Sequence, residues 1–421
     1  MPCRAIGGLL IKRPPFVGLK KWLKGSEARL RSIPPKRRAL TILLIGIVFL
    51  GSLIVLDRMA IRPYLDDALG PTPDVPYYRN RTETVLHGGW LYRDIYCESP
   101  PLIVYFMLPP ELLGGQDWMY EMYFSAFTIL TAIVLYLGLR KWDDFNAFIV
   151  GILFIFLPYG TIESTFGVQD ESIVVLLFIV PLLLAIHDRF RVSALAIAVG
   201  FWTKIFNLLF YPILLMKTKS WRERSIHLGI IAVVSAIVVA PFLIVVPTEF
   251  ISFPSYYFLG GGSGPTGGIS IWDFLSMGGL RIPGIVLLLM TAISFLLAIW
   301  YAHKKRLGFW EGTLVVLIAV LIFYPRTAMG YFILPITLLL AWAVEDLRIA
   351  VRSFIIYLPF FGSLAFSKNN ILGTPPIDVP WGWICGLTLT LIGTYLLVDT
   401  VRISLKKTSF IARNERKQRG S

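Results

Sequence analysis

The chain has 421 residues, 56% of them hydrophobic, and a formal net charge of +14. A soluble domain is usually about 45–50% apolar, so this composition excludes an ordinary soluble protein and indicates a polytopic helical membrane protein. A large positive charge can mark a nucleic-acid-binding protein. Here the basic residues flank apolar segments and form no separate basic domain, so we expect no nucleic-acid partner.

The charges are distributed unevenly along the chain. Residues 1–40 carry eleven Lys/Arg and one acidic residue, and residues 401–421 carry seven Lys/Arg and one acidic residue. The segment 57–117, which follows the first apolar segment, carries five Arg and nine Asp/Glu. Because cytoplasmic loops of membrane proteins are enriched in Lys and Arg, we expect both termini in the cytoplasm and segment 57–117 outside.

Three regions are expected: a basic cytoplasmic segment over residues 1–38, an integral membrane domain over 39–400, and a basic cytoplasmic tail over 401–421. The polar N-terminal segment is too long for a signal peptide, and no small-residue cleavage site follows the first apolar segment. Residues 16–33 could form an amphipathic helix on anionic lipid or a solvated tail. The short chain without targeting signals favours a prokaryotic cell membrane over the endoplasmic reticulum.

Most apolar segments of the membrane domain are long enough to cross a bilayer, which takes about twenty residues. We predict spans at residues 39–56, 118–139, 228–246, 282–301, 350–366 and 382–400, and a pair of segments at 146–160 and 171–187. Segment 101–113 is short and interrupted by prolines, so we expect it to lie at the interface or to re-enter the membrane. With partial segments included, the bundle should contain about 10–12 transmembrane segments.

Two further apolar segments are interrupted by a cation. Segment 192–216 has Lys204 near its centre and basic residues on both flanks, and a single span would place one basic flank outside. Two half-helices that turn at Lys204 keep every basic loop inside, so we expect a hairpin. Segment 312–344 is long for one span and is interrupted near Arg326, which predicts a second hairpin. A charge at membrane depth costs about 2.5–3.5 kcal/mol on insertion scales, so Lys204 is a functional candidate.

The predicted topology collects unusual polar residues at the outer face, where segment 57–117 and both hairpin turns meet. The outer loop 247–281 joins them there and contains the glycine-rich sequence YYFLGGGSGPTGG. Such glycine density is typical of a mobile linker, and it also suits a lid over a site.

Carboxylates beside cations at an outer membrane face suit group transfer from a lipid-linked donor. A sugar on a polyprenyl phosphate keeps its isoprenoid chain in the bilayer and its phosphate at the interface. A carboxylate base would take the proton of the acceptor hydroxyl, and cations would stabilise the leaving phosphate as charge develops. This chemistry requires no cofactor, although a divalent cation could join the carboxylates.

Two other classes of function remain open from the residues alone. A transporter or lipid flippase would also contain interrupted helices, because such proteins bind substrate where helices are broken. A non-enzymatic membrane scaffold would leave the outer carboxylates dispensable and the placement of the cations unexplained.

Four motifs, in this order, resemble those of the GT-C glycosyltransferases, which use polyprenyl-phosphate sugars. The first is the pattern of the first outer loop, Asp74-x-x-Tyr77-Tyr78, then Val85-Leu86-x-Gly88, Tyr92-Arg93-x-x-Tyr96 and Pro100-Pro101-Leu102. The later ones are GVQDES (167–172), FWTKIFNLLFYPILL (201–215) and YPRTAMGYFILP (324–335). The first loop is most similar to the branch that contains the first GPI mannosyltransferase and the bacterial polyprenyl-phosphate-mannose mannosyltransferases.

The resemblance covers residues from about 40 to about 345 and implies a fold and an activity. The fold would be an all-α, GT-C-like bundle whose first outer loop, 57–117, carries juxtamembrane helices. The activity would be inverting transfer of a hexose from a polyprenyl- or dolichyl-phosphate donor to a hydroxyl of a glycolipid or glycan at the outer or lumenal face. Mannose is favoured by the branch similarity alone.

The resemblance also implies roles for individual residues. Asp74 matches the family's first-loop aspartate and would be the general base, with Asp94 as the second choice. Asp170 would orient a cation or a sugar hydroxyl. The residues expected around the donor phosphate and the edge of the site are Arg93, Lys204, Arg326, His87, Glu98 and Tyr78.

Simpler roles are compatible with the same residues. Asp74 stands in TPDVP, which is a turn-like sequence, and Asp170 could simply open its helix. Lys204 could extend toward the interface without contacting a ligand, and Arg326 could be an interfacial anchor. Asp66 and Asp67 lie close enough to Asp74 to compete with it, although PYLDDALGP resembles a helix start.

Overall fold

The computed structural model describes residues 29–64, 74–259, 264–367, 377 and 379–420. In these ranges the chain is almost entirely helical, and its two strands, Gly267–Gly268 and Arg326–Thr327, form one short parallel pair. Asp66, Asp67 and most of the expected amphipathic segment 16–33 lie outside the described residues, as does part of the glycine-rich loop.

Six helices are long and apolar enough to cross a membrane: Pro35–Tyr64, Asp117–Leu139, Trp221–Val245, Gly284–Lys304, Leu347–Leu364 and Gly382–Glu415. The first ends in a π-helical turn, Asp57–Ile61. Helices Asp144–Phe156 and Pro158–Thr165 together form a further span, bent by 43°. The prediction of an all-α polytopic membrane protein is therefore confirmed.

Shorter elements fill the spaces between the spans. The apolar helices are Pro101–Phe106, Leu108–Leu112, Glu171–Ile186, Phe190–Phe201, Tyr211–Lys217, Phe309–Phe323 and Ile333–Ala343, with 3-10 turns at Ile205–Phe210 and Met329–Phe332. The helices of the loops that the charge distribution predicts to lie outside are Val75–Leu86, Pro247–Phe250, Ser252–Leu259 and Ile271–Met277, and the last helix is Phe410–Gly420.

The segment around Lys204 forms the predicted hairpin, called here the Lys204 hairpin (residues 190–217). Arg191, at the start of its first arm, pairs with Glu223 at 2.6 Å, near the start of the next span. At the other end of that arm, Trp202 Nε1 donates to Ser235 Oγ at 2.8 Å. The first arm is therefore parallel to the following span, so the second arm must return the chain to the side from which it came.

The segment around Arg326 forms a second hairpin, called here the Arg326 hairpin (residues 309–343). Trp310 Nε1, near the start of the first arm, donates to the Leu338 carbonyl in the second arm at 2.8 Å. The two arms are therefore antiparallel, and Arg326 lies in the turn that joins them. Both predicted interruptions at cations are confirmed.

The basic loops meet at one end of the bundle. There Arg38 pairs with Asp144, and the Phe190 ring packs against the Phe309 ring with centroids 5.9 Å apart. The C-terminal helix packs at the same end, where Glu415 Oε2 accepts from the Phe309 backbone N–H at 3.1 Å. The bundle thus has a basic end, and the turns with Lys204 and Arg326 lie at the opposite end.

The core of the bundle is formed by short helices, whereas several long ones are peripheral. Nearly every residue of Glu171–Ile186 and Ile333–Ala343 is buried, as expected for helices that are apolar on all sides. Helix Trp221–Val245 has only two buried residues, His227 and Phe242. The helix that begins at Glu171 and the second arm of the Arg326 hairpin are therefore enclosed by the rest of the bundle, and the candidate site lies at their N-terminal ends.

Candidate active site

A cavity of about 390 Å³ lies at the end of the bundle opposite the basic loops. Most of its lining comes from five separate parts of the chain: segment 57–117, the start of helix Glu171–Ile186, loop 247–281 and the turns of the two hairpins. Its charged lining residues are Asp74, Arg81, Glu98, Asp170, Glu171, Lys204 and Arg326, and its tyrosines are Tyr77, Tyr78, Tyr256, Tyr324 and Tyr331.

Asp74 immediately precedes helix Val75–Leu86, whose first turn contains a proline that suits a helix start. Gln169 Nε2 donates a hydrogen bond to Asp74 Oδ2 at 2.7 Å. Burial raises the pKa of Asp74; the bond from Gln169 lowers it, and the nearby charge of Asp170 raises it. Asp74 is therefore a carboxylate of increased basicity that lines a polar cavity.

Gln169 is a site residue that the sequence reasoning missed. It follows Val168, whose φ of 47° lies in the left-handed region, an outlier for a β-branched residue. Arg62 Nη2, from the end of the first span, donates to the Phe166 carbonyl at 2.7 Å and fixes the start of this turn. The motif GVQDES offered a signal, but only Asp170 was selected from it.

Lys204 lies at the break of its hairpin, where the backbone is extended (φ −154°, ψ 132°). Its ammonium group lies 3.0 Å from Asp170 Oδ1 and 3.4 Å from Glu171 Oε1, and it lies 5.5 Å from the centroid of the Tyr331 ring. All three charged side chains are buried. Since two carboxylates face one ammonium group, Lys204 compensates negative charge within the cavity wall.

A further carboxylate, Glu163, lies behind this group and was not selected as a site residue. A Cβ atom at Gly330 would stand 2.7 Å from Glu171 Cγ and 3.3 Å from Glu163 Oε2. Neither carboxylate oxygen of Glu163 has a hydrogen-bond partner in the described part of the chain. The turn of the Arg326 hairpin thus packs against two acidic side chains at a residue that leaves no space for a side chain.

Arg326 is held at the other wall of the cavity by the outer loop 247–281. Its guanidinium lies over the Tyr256 ring, 4.2 Å from the centroid, and its Nη1 donates to the Gly264 carbonyl at 2.5 Å. Its backbone pairs with Gly267 in the short parallel strand pair. Arg326 therefore projects from a fixed strand at the cavity edge.

The described part of loop 247–281, called here the cover, lines the cavity and is held to the Arg326 hairpin by side-chain hydrogen bonds. Trp272 Nε1 donates to the Phe323 carbonyl at 2.9 Å, and Ser270 Oγ donates to the Pro325 carbonyl at 2.7 Å. Gly267 and Gly268 line the cavity. Glycine is needed at 268 because φ is +69° and a Cβ would meet the Thr327 carbonyl oxygen at 2.3 Å.

Three of the expected site residues lie outside the cavity lining. Arg93 Nε donates to Asp94 Oδ1 at 2.8 Å, and both side chains are well exposed. The hydrogen bond from Arg93 lowers the pKa of Asp94 to about 2, so Asp94 is a weak base. His87 is exposed, with Nδ1 at 2.8 Å from the Glu83 carbonyl of its own helix.

The other expected residues come together in the cavity. Asp74, Tyr78, Glu98, Asp170, Lys204 and Arg326 all line it. Arg81, which the sequence reasoning did not select, pairs with Glu98 and is itself almost fully buried. No group of three His, Cys, Asp or Glu residues suited to hold a metal ion occurs among the described residues.

Comparison with known proteins identifies the family of this chain. The model of glycosyltransferase family 87 matches residues 99–325, more than half of the chain. The matched segment contains Asp170, Glu171 and Lys204 and ends one residue before Arg326. A search of curated proteins finds no match.

Proposed function

Because the chain belongs to glycosyltransferase family 87, and is therefore a membrane glycosyltransferase of the GT-C type, we propose that it transfers a hexose from a polyprenyl-phosphate donor to an acceptor hydroxyl in the cavity. Asp74 is the general base in this proposal. The observation that carries it is a partly buried carboxylate, held by Gln169, in the same cavity as Lys204, Arg326 and Arg81.

The proposed reaction is a single displacement at the anomeric carbon. The acceptor oxygen forms a bond to this carbon while its proton passes to Asp74, and the bond from the carbon to the phosphate oxygen breaks. The electron pair of that bond leaves with the lipid phosphate. One base and one direct displacement give a product of inverted configuration.

The cations have separate tasks in this mechanism. Arg326 is placed to receive the phosphate, because it stands at the cavity edge on a strand fixed by loop 247–281. Lys204 and Arg81 bind carboxylates of the cavity wall, which keeps the net charge of the site compatible with a bound anion. The five tyrosines provide ring faces and hydroxyl groups for the sugar.

The donor and the acceptor are proposed from the first-loop motif. Its similarity to polyprenyl-phosphate-mannose enzymes favours mannose as the sugar, and the acceptor is a hydroxyl of a glycolipid or glycan. The basic end of the bundle would face the cytoplasm by the charge rule, so transfer would occur at the extracytoplasmic face.

The test is a comparison of donors with the purified protein in lipid vesicles. Radiolabelled mannose is supplied either on a polyprenyl phosphate or on a nucleoside diphosphate, with a membrane glycolipid extract as acceptor and the same donors carrying glucose in parallel. We expect transfer from the polyprenyl phosphate alone. Transfer from the nucleotide sugar in the absence of lipid phosphate would contradict the proposal.

A further inference from the structure

A second cavity, of about 350 Å³, lies at the basic end of the bundle, remote from the first. It is lined by Met216 and Lys217 at the end of the Lys204 hairpin, and by His303 and Arg306 at the end of span Gly284–Lys304. Three of its four lining side chains carry N–H donors and two of them are cations. The proposed glycosyl transfer uses none of them.

Arg306 occupies a backbone position that normally favours glycine. The Leu307 N–H donates to the Ala302 carbonyl and the Arg306 N–H donates to the His303 carbonyl, each at 3.0 Å. This is the Schellman pattern that ends many helices, with its left-handed residue usually a glycine. Arg306 has φ +51°, a strained position for a residue other than glycine, and it lines the cavity.

The surroundings of this cavity have the residue types of a membrane–water interface. The Lys304 ammonium lies 4.7 Å from the Trp300 ring centroid, and the Arg224 guanidinium lies 4.9 Å from that of Trp221. Both tryptophans are exposed, and exposed tryptophans beside cations are typical of the membrane–water interface. The same span exposes Leu296 and Leu297 further from its end, which provides an apolar surface beside the cationic cavity.

We propose that this cavity binds the phosphate ester headgroup of an anionic membrane lipid. Lys217 and Arg306 would contact the phosphate oxygens, His303 would donate from a ring N–H, and the acyl chains would lie along span Gly284–Lys304. Basic pockets between membrane helices are suited to such headgroups. Because Lys217 ends the hairpin that carries Lys204, the bound lipid would also fasten the base of that hairpin.

A simpler role for these cations is to complement the negative ends of the two helices that finish here. Arg306→Gly separates the two roles, because glycine suits the left-handed backbone but cannot contact a phosphate. We expect this variant to be at least as stable as wild type in neutral lipid and to lose the response to anionic lipid. A purely structural role predicts the same response to anionic lipid in both proteins.

The experiment measures Tm in nanodiscs of phosphatidylcholine and in nanodiscs of equal parts phosphatidylcholine and phosphatidylglycerol. We expect the second lipid to raise Tm of wild type by at least about 2 °C, and to leave Tm of Arg306→Gly and Lys217→Gln/Arg306→Gln unchanged. The matched control is Lys141→Gln/Lys406→Gln, which removes two exposed cations of the same end outside the cavity and should respond as wild type does.

A further arm distinguishes a lipid headgroup from a free phosphate. Inorganic phosphate is added to the phosphatidylcholine nanodiscs, with sodium chloride at equal ionic strength as reference. We expect no rise in Tm, and native mass spectrometry of wild type should show retained phosphatidylglycerol that Lys217→Gln/Arg306→Gln has lost. A rise with phosphate alone, or equal lipid retention by both proteins, would overturn the proposal.

Discussion

Two opposing effects on the pKa of Asp74 together suit a proton acceptor. Burial raises its pKa, which makes the carboxylate a stronger base, whereas the hydrogen bond from Gln169 favours the charged form. Gln169 Nε2 also donates to the Gly167 carbonyl at 2.9 Å, so two hydrogen bonds hold the amide in place. The strained turn at Val168 thus fixes the amide that binds Asp74.

The rate of transfer should therefore depend on pH through Asp74. The base is active as a carboxylate, so kcat/KM is full above its raised pKa and falls as the pH drops through it. Gln169→Ala removes a bond to the charged form, which raises the pKa further and moves the loss of activity to higher pH. Asp94→Asn should leave the profile unchanged, since the pKa of Asp94 is lowered to about 2 and its side chain is outside the cavity lining.

The sequence could select some of the cavity residues but not all of them. Asp74 was selected through its match to the first-loop motif, whereas Lys204 and Arg326 interrupt apolar segments, where a charged group is costly. Gln169 and Gly330 carry no such signal, and their roles follow from contacts across about 95 and 160 residues of chain. Arg93 and Asp94 lie in a first-loop motif, yet they satisfy each other at the surface.

Among the secondary-structure elements, the two hairpins and the cover meet around the cavity. Each hairpin arm is too short to span the bilayer alone, so its turn is buried within the bundle. The strand Gly267–Gly268 attaches the cover to the turn that carries Arg326. Displacement of this strand would move Arg326 relative to Asp74, which is held from another part of the chain.

Gly268→Ala tests this attachment. The new Cβ would meet the Thr327 carbonyl oxygen at 2.3 Å, so the strand pair must separate and Arg326 must shift. We expect kcat/KM to fall by about tenfold to a hundredfold, the usual effect of a displaced site group. Gly279→Ala is the matched control: its φ is also positive, at +96°, but a Cβ there has nothing within 4 Å.

If the two variants lose activity equally, the strand does not position Arg326.

The attachment of this cover to the Arg326 hairpin could not be predicted from the sequence, because its glycines are compatible with a linker and with a strand pair alike. The Lys204 hairpin was predictable, because basic flanks on both sides of Lys204 exclude a single span under the charge rule. The Arg326 hairpin was predictable because its segment is long for one span and is interrupted near Arg326.

At the scale of the whole molecule, the bundle separates a basic end from an end that carries the mixed-charge cavity. Contacts such as the pair of Arg191 with Glu223 and the bond between Phe309 and Glu415 join the loops of the basic end. This arrangement suits an enzyme that anchors one end against anionic lipid and performs chemistry at the other.

Cysteine labelling in sealed vesicles tests this arrangement. In a background with the native cysteines replaced by serine, Arg189→Cys and Lys219→Cys flank the Lys204 hairpin, and His87→Cys lies in the first outer loop. We expect an impermeant maleimide to reach the first two from the same, cytoplasmic side and His87→Cys from the other. Labelling of Arg189→Cys and Lys219→Cys from opposite sides would contradict the hairpin.

The central claim is that Asp74 takes the proton of the acceptor during sugar transfer from lipid phosphate. The most direct test compares single-turnover transfer by Asp74→Asn and Asp94→Asn, after both have been shown to match wild type in Tm. Asp74→Asn keeps the size of the side chain but removes the base, so we expect its rate to fall by about 100-fold to 10,000-fold. Asp94→Asn removes an exposed ion pair and leaves a side-chain oxygen that can still accept from the Trp90 N–H, so its rate should stay within about twofold of wild type. Wild-type transfer by Asp74→Asn, or a comparable loss in Asp94→Asn, would contradict the assignment.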